Sequence, residues 1–343
     1  MAVKQKLAPA TSLRDLGKHL GLSPTTVSLV LNGSPGAASI PKETQDRVFA
    51  AAKRLNYRPN YFARSLRSRR TYLTGVMVPE VGEGYAALVL SGIEEALLAR
   101  GWAYLLSTHR HHADRIENGQ RVLYERCVEG LIAVDTPIEE TPPVPVVAVS
   151  GHGRTAGVTN VVLDHDHAAE LGLRHLVDLG HREIAFFVGQ AFSSDSEVRW
   201  SAIHRAAVRM GLQVKRPLVV RLEGDSPSPE TGYHAARQLL ATGEHFTALW
   251  AFNDISAIGG IRALIEAGRS VPADVSVLGF DDVYGAAFHN PALTTVRQPL
   301  ARIGAVAVET LLERIDRPDE RHAREITVAP DLVVRESTGP ARG

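Results

Sequence analysis

Hydrophobic positions follow two regimes along the chain, and the change falls near residue 70. Before it, apolar residues recur at helical spacing. Leu13, Leu16 and Leu20 stand at i, i+3 and i+7 behind Ser12, a residue suited to capping a helix. Gly21 suits the left-handed turn that ends one. The next stretch, GLSPTTVSLVLNG (21–33), is rich in β-branched residues and could pass for a strand. Ser23 followed by Pro24 decides for a helix, because serine caps the first turn and proline there lacks only an N–H that has no helical partner. Val27, Val30 and Leu31 then share an inward face, while Pro24, Thr25, Ser28, Leu29 and Asn32 take the other. A third helix opening near Pro41 turns Val48, Ala51, Ala52 and Leu55 inward, and Lys42, Arg47, Lys53 and Arg54 outward. Two short helices joined by a glycine turn and braced by a third make a helix-turn-helix. Pro59 closes the third helix, and Asn60 can cap a short basic segment centred on Leu66.

After residue 70 the pattern becomes short apolar runs alternating with amphipathic segments. LTGVMVP (73–79), WAYLLS (102–107), GLIAVD and VPVVAVS are expected strands, separated by helices over about 85–100 and 113–127. After a short stretch expected to be irregular, helices near 168–179, 199–210, 233–241 and 256–267 alternate with REIAFFVG, PLVVRLEG, TALWAFND and VSVLGFDD. Continuous apolar strands between amphipathic helices predict doubly wound parallel sheets, and the length suits two lobes. The expected fold is therefore an all-α helix-turn-helix head and hinge helix ahead of an α/β core of two such lobes. The expected divisions are 1–58, 59–71 and 72–343.

Charge sharpens that division. Residues 1–70 hold 13 of the chain's 38 Lys and Arg but 3 of its 38 Asp and Glu, so a basic head precedes an acidic body of 25 and 35. Such a head suits a polyanion. The major groove of DNA admits one helix, and the capped start of the second helix would enter it beside phosphates. The 44% hydrophobic content supports a sizeable core, and a single cysteine, Cys127, excludes an intramolecular disulfide. No apolar run reaches the roughly 20 residues of a membrane helix. The first residues carry no apolar export segment. A cytoplasmic protein without membrane contact is expected.

The run TSLRDLGKHLGLSPTTVSLVLNG, continued by IPKETQDRVFAAAKRLNYRPNYFARSLRSRR, resembles the DNA-binding head and hinge of the lactose/galactose-repressor family of bacterial transcriptional regulators. The body phrases VVLDHDHAAELGLRHLVDLGHREIAFFVG, AFNDISAIGGIRALIEAGRSVPADVSVLGFDD and NPALTTVRQPLARIGAVAVETLL resemble the same family, whose core is similar to periplasmic sugar-binding proteins. The resemblance implies that the second helix reads operator DNA, giving Ser23, Pro24, Thr25, Ser28, Leu29 and Asn32 as candidates. It implies a hinge helix that folds on DNA through Asn60, Ala63, Arg64, Leu66 and Arg67, with Leu66 wedged into the minor groove. Where Leu29 stands the family usually has an arginine. For the body it implies a small effector, a sugar or related polar metabolite, held by Arg199, Asn253, Asp281 and Asp164 against Phe192 and Phe252, with Trp250 a further candidate wall. Guanidinium, amide and carboxylate groups give paired hydrogen bonds to polyols, and aromatic rings give a stacking wall. Ser150 replaces an aspartate of some sugar-binding members. The implied assembly is a homodimer on a pseudo-palindromic operator. The end of the chain has no leucine-heptad tail, so a tetramer of that kind is not expected.

Other signals are weaker. Gly82-x-Gly84-x-x-Ala87 follows a strand, but Glu80 and Glu83 would repel a pyrophosphate and no acidic residue ends WAYLLSTHR. The clusters HRHH (His109, His111, His112) and DHDH (164–167) read as solvated loops rather than metal ligands, because adjacent side chains diverge. Cys127 reads as an inert thiol on an apolar helix face. No catalytic residue, cofactor or metal is expected, and a repressor is the leading reading. The rivals are a sugar-binding transport component and an α/β enzyme with an accessory nucleic-acid-binding head.

Overall fold

Capping and apolar spacing act first in the head. The computed structural model describes residues 11–58, 65, 70–82, 84–224 and 227–342. Asn60, Ala63, Arg64, Leu66 and Arg67 lie outside them. The chain divides into two compact units, 1–71 and 72–343.

In the first unit α1 (Leu13–Leu20), α2 (Pro24–Leu31) and α3 (Lys42–Arg54) surround a small core of Leu16, Val27, Val30, Val48 and Ala51. Ser12 caps α1 reciprocally with Asp15: each side chain meets the other's backbone N–H. Gly21 ends α1 at φ +68°, where a side chain would strain the backbone. Ser23 caps α2 through the Thr26 N–H, with Pro24 in the first turn. The Gln45 amide ties α3 back to the carbonyls of Ala37 and Ile40.

The second unit holds two six-stranded sheets. The first has the order β11-β5-β4-β3-β1-β2 and is parallel throughout, from β1 (Leu73–Val78), β2 (Ala103–Thr108), β3 (Gly130–Val134), β4 (Val146–Val149), β5 (Val158–Leu163) and β11 (Glu325–Val328). The second, β12-β10-β9-β8-β6-β7, comprises β6 (Ile184–Val188), β7 (Val219–Arg221), β8 (Ala248–Trp250), β9 (Ser276–Asp281), β10 (Thr294–Arg297) and β12 (Asp331–Val333). It is parallel except where β12 runs against β10. The helices are α4 (Tyr85–Leu98), α5 (Ala113–Glu125), α6 (His165–Asp178), α7 (Ser194–Arg209), α8 (Pro229–Ala241), α9 (Asp254–Glu266), α10 (Tyr284–Phe288) and α11 (Leu300–Asp316). Strands β3, β4, β6 and β8 are buried along their whole length, which is why they read as unbroken apolar runs. No described helix is long and apolar enough to cross a membrane.

Three expectations need correction. The stretch expected to be irregular contains β5, whose polar Thr159 and Asn160 are buried and bonded to the carbonyls of Ala323 and Gly153. Helices α6 to α9 start two to five residues earlier than their apolar spacing suggests, because their first turns are largely polar. Cys127 is exposed, just beyond the end of α5 at φ +57°, rather than on an apolar helix face.

Candidate functional site

In the head, the start of α2 presents Ser23, Pro24 and Thr25 to solvent, with Asn32 exposed at its other end. Leu29 is half-buried and lies over Gly36 of the short turn that follows, where an added Cβ would sit 3.4 Å from its side chain. Ser28 is a correction: it is buried, not outward. It stands one residue, about 100°, from buried Val27. The Asn32 amide covers it, donating to the Ser28 carbonyl at 2.7 Å and to its hydroxyl at 3.1 Å.

In the core, strand ends from both sheets converge on one cleft of roughly 720 Å³ including its open mouth. The first lobe supplies Tyr85, His111, Asp135 and Ser150; the second supplies Gln190, Phe192, Asp195, Arg199, Phe252, Asn253 and Asp281. This is where an open parallel sheet places its ligand sites. Three of these groups share an uncommon backbone. Asp135, Ser150 and Asp281, at or just past the ends of β3, β4 and β9, have φ of +42°, +55° and +111°. Non-glycine residues held there cost free energy, and such strain collects at functional sites.

Arg199 is 4% exposed. Its guanidinium sits 3.7 Å from the Phe280 ring centre and 4.4 Å from that of Phe252. It donates to the Phe252 carbonyl at 2.6 Å and to Asp195 Oδ2 at 3.4 Å. Arg199 Nε and the Gln190 amide nitrogen, both buried, have no partner among the described residues. Asp281 accepts from the Gln298 amide at 2.6 Å, and burial pushes its carboxyl up to about 6 although Arg199 pulls it down. Asp135 accepts the Ser194 N–H at 2.9 Å and is likewise raised to about 6 by desolvation. Asp195 is as buried but moves the other way. Hydrogen bonds with His152 and His165 and the charge of Arg199 overcome its desolvation and hold it well below the usual carboxylate range.

The packing that fixes these groups is tight. Asn253 caps α9 by accepting the Ser256 N–H at 2.9 Å. Beside it, fully buried Asp254 accepts from Thr295 Oγ1 at 2.6 Å and from the Val283 N–H at 2.9 Å. Gly279 of β9 is needed for that approach, since a Cβ there would fall 2.1 Å from an Asp254 oxygen.

Of the candidates named from the sequence, Arg199, Asn253, Asp281, Phe192 and Phe252 meet in the cleft. Asp164 does not line it; its carboxylate instead caps α6 by accepting the His167 N–H. Trp250 is 1% exposed and belongs to the core. Of the HRHH histidines, His112 is exposed as expected, but His109 and His111 are not solvated. His109 is fully buried, 2.8 Å from Thr136 Oγ1, and burial lowers both His109 and His111 to about 4. His111 stacks on Phe192 with ring centres 4.0 Å apart. Asp135, Asp195, Gln190, Tyr85 and His111 were missed. Only Asp195 carried a local signal, standing four residues before Arg199 on one helix face.

A helix-turn-helix head ahead of two parallel-sheet lobes that share a polar cleft defines the class: a DNA-binding regulator with a ligand-binding core. Residues 12–60 match the model for bacterial regulatory proteins of the lacI family, and residues 173–338 match a periplasmic binding protein-like domain. The chain is 32% identical over 337 residues to the HTH-type transcriptional repressor PurR of Haemophilus influenzae, covering 95% of this chain and 98% of that one. The PurR of Erwinia tasmaniensis is also 32% identical, over 342 residues, 96% of this chain and 98% of that one. A solved lac repressor dimer bound to operator and the anti-inducer ONPF superposes with TM-score 0.85 at 27% identity, over 96% of this chain and 99% of that chain. A complex of the transcriptional regulator CelR with cellobiose gives 0.69 at 27% identity, over 95% and 99%. The chain belongs to the lacI family of bacterial regulatory proteins.

Proposed function

We propose that this chain is a cytoplasmic transcriptional repressor that binds a pseudo-palindromic operator as a homodimer and answers to a small polar effector, a sugar or related metabolite, held between its lobes. The head approaches the major groove through Pro24, Thr25 and Leu29. The hinge segment, through Asn60, Ala63, Arg64, Leu66 and Arg67, adds the minor-groove contact. The observation that carries the reading is the cleft: Arg199, Gln190, Asp135 and Asp281 offer donors and acceptors from both lobes around aromatic walls at the strand ends. An effector that binds one lobe arrangement more tightly than another shifts the balance between them, and linkage makes the effect on operator affinity reciprocal. The reading includes no catalytic step, cofactor or membrane contact; the curated relatives are transcriptional repressors.

The test is a gel-shift titration against salt, using operators selected from random DNA. Phosphate neutralisation predicts a linear fall of log affinity with log salt. No binding at low salt overturns the repressor reading, and turnover of a sugar or nucleoside by the same protein would favour an enzyme. A thermal-shift screen over sugars and nucleosides then finds the effector, since a ligand of the folded state raises the midpoint.

A further inference from the structure

Beside the cleft, three side chains far apart in sequence converge. His152 follows β4 in the first lobe, whereas His165 opens α6 and Asp195 lies in the first turn of α7, both in the second. Each offers one ligand atom, and those atoms lie within 4.8 Å of one another. His152 Nε2 is 2.7 Å and His165 Nε2 3.2 Å from the same oxygen, Asp195 Oδ1. We propose that His152, His165 and Asp195 form a binding site for one divalent transition-metal ion of the zinc class, joining the two lobes.

The donor chemistry suits that ion. Two imidazoles and one carboxylate are a common three-ligand set, leaving a fourth position for water or a ligand. Zinc with ligand bonds of about 2.0–2.2 Å sets tetrahedral donor atoms roughly 3.3 Å apart. The His165 contact is already close to that spacing, the His152 contact reaches it by opening roughly 0.6 Å, and the two imidazole nitrogens start within 4.8 Å of each other. The surroundings already orient the carboxylate: its other oxygen, Oδ2, accepts from Ser150 Oγ at 3.1 Å and from Arg199 at 3.4 Å. Outer contacts of this kind fix a ligand's direction. Arg199 opposes a cation, but Asp135 and Glu325 add negative charge around His152.

Which nitrogen of His165 would ligate follows from its surroundings. Its ring is 6% exposed, yet its Nδ1 is buried with no partner among the described residues. Nε2 faces the carboxylate and is the nitrogen placed to ligate, which leaves the proton of a neutral imidazole on Nδ1. Because the ligands come from both lobes, the bound ion stabilises the arrangement that brings them together. Because Asp195 also lines the cleft, the ion is placed to alter what the cleft binds.

The experiment uses the full chain, stripped of metal with a chelator and titrated with Co²⁺ in the visible range. One equivalent per chain, intense tetrahedral d–d bands and displacement by Zn²⁺ are expected. His152 is partly exposed, so His152→Ala folds and should weaken the ion more than about 100-fold, beyond the effect of losing an outer contact. His165→Ala should do the same, with circular dichroism as the check on folding; if that variant does not fold, His152→Ala decides alone. Zn²⁺ should raise the melting midpoint of the parent chain and leave that of His152→Ala unmoved. Failure of Co²⁺ to bind at millimolar concentration would show a hydrogen-bonded contact between lobes only and overturn the site. Undiminished binding in His152→Ala would overturn it too, placing the ion on other histidines.

Discussion

The head and the cleft solve opposite problems. The head shows its candidate reading groups to solvent: Ser23, Pro24, Thr25 and Asn32 are exposed, uncharged and carried by one eight-residue helix and its two caps. The cleft hides its groups: Arg199, Asn253 and Asp281 are each less than a tenth exposed and come from three separate elements. A surface that must match a groove needs shape and a rigid backbone, which caps and five core residues provide. A pocket that must grip a small polar molecule needs charge kept out of water and aimed, which only long-range packing provides.

The contrast predicts different sensitivities, beginning with the largest. Leu16→Ala should remove 2–5 kcal/mol, about the cost of truncating a buried leucine, from a core of only five buried residues. The head should then melt before the rest, visible as a separate early transition in calorimetry; a single unchanged transition would contradict its independence. Gly279→Ala should perturb the cleft, because the new Cβ meets the Asp254 carboxylate. A loss of roughly 1–3 kcal/mol, typical of overpacking, is expected, with weaker effector binding and unaltered operator affinity in the absence of effector. Arg199→Met keeps much of the volume between Phe252 and Phe280 but removes the donors. Loss of a buried charged partner should lower affinity for the screened effector about 100-fold, read by calorimetric titration. An unchanged affinity would remove Arg199 from the site.

pH gives a gentler test of the buried half. Asp135 and Asp281 titrate near 6 when folded, above the roughly 3.9 of an unfolded aspartate. Between those values the folded chain holds more protons, so these two groups make the effector-free protein less stable as pH rises from about 4 through about 6. Hydroxyls of an effector donate best to ionised carboxylates, so its affinity should climb over the same window. Asp281→Asn should flatten the climb in thermal-shift measurements, whereas operator recognition by α2, with no such group, should not share it. The smallest effect concerns one base pair. Leu29 can meet a thymine methyl but cannot make an arginine's paired bonds to guanine. Leu29→Arg should therefore move the preference at that position from A·T toward G·C by about 1–3 kcal/mol in a selected-sites experiment.

The same contrast explains what could be read in the chain beforehand. The head is legible because caps, proline and glycine act within a few residues, and Ser12, Gly21 and Ser23 stand where those rules require. Strands β1, β3, β4, β6 and β8 are legible because burial on both faces leaves them apolar. Strand β5 escaped because Thr159 and Asn160 interrupt the run, and their bonds reach residues 323 and 153. The cleft was half legible: Arg199, Asn253, Asp281, Phe192 and Phe252 came through family likeness, while Asp164 fell to helix capping. His152 gave no local sign, since its partner lies 43 residues away. Ser28 misled because a short polar side chain can be buried when a neighbouring amide satisfies it.

The left-handed strand ends at Asp135, Ser150 and Asp281 also bear on how such a protein can diversify. Each is a fixed backbone post that carries an interchangeable polar head. Exchanging the head would retune which small molecule is heard. The sheets behind it need not be rebuilt.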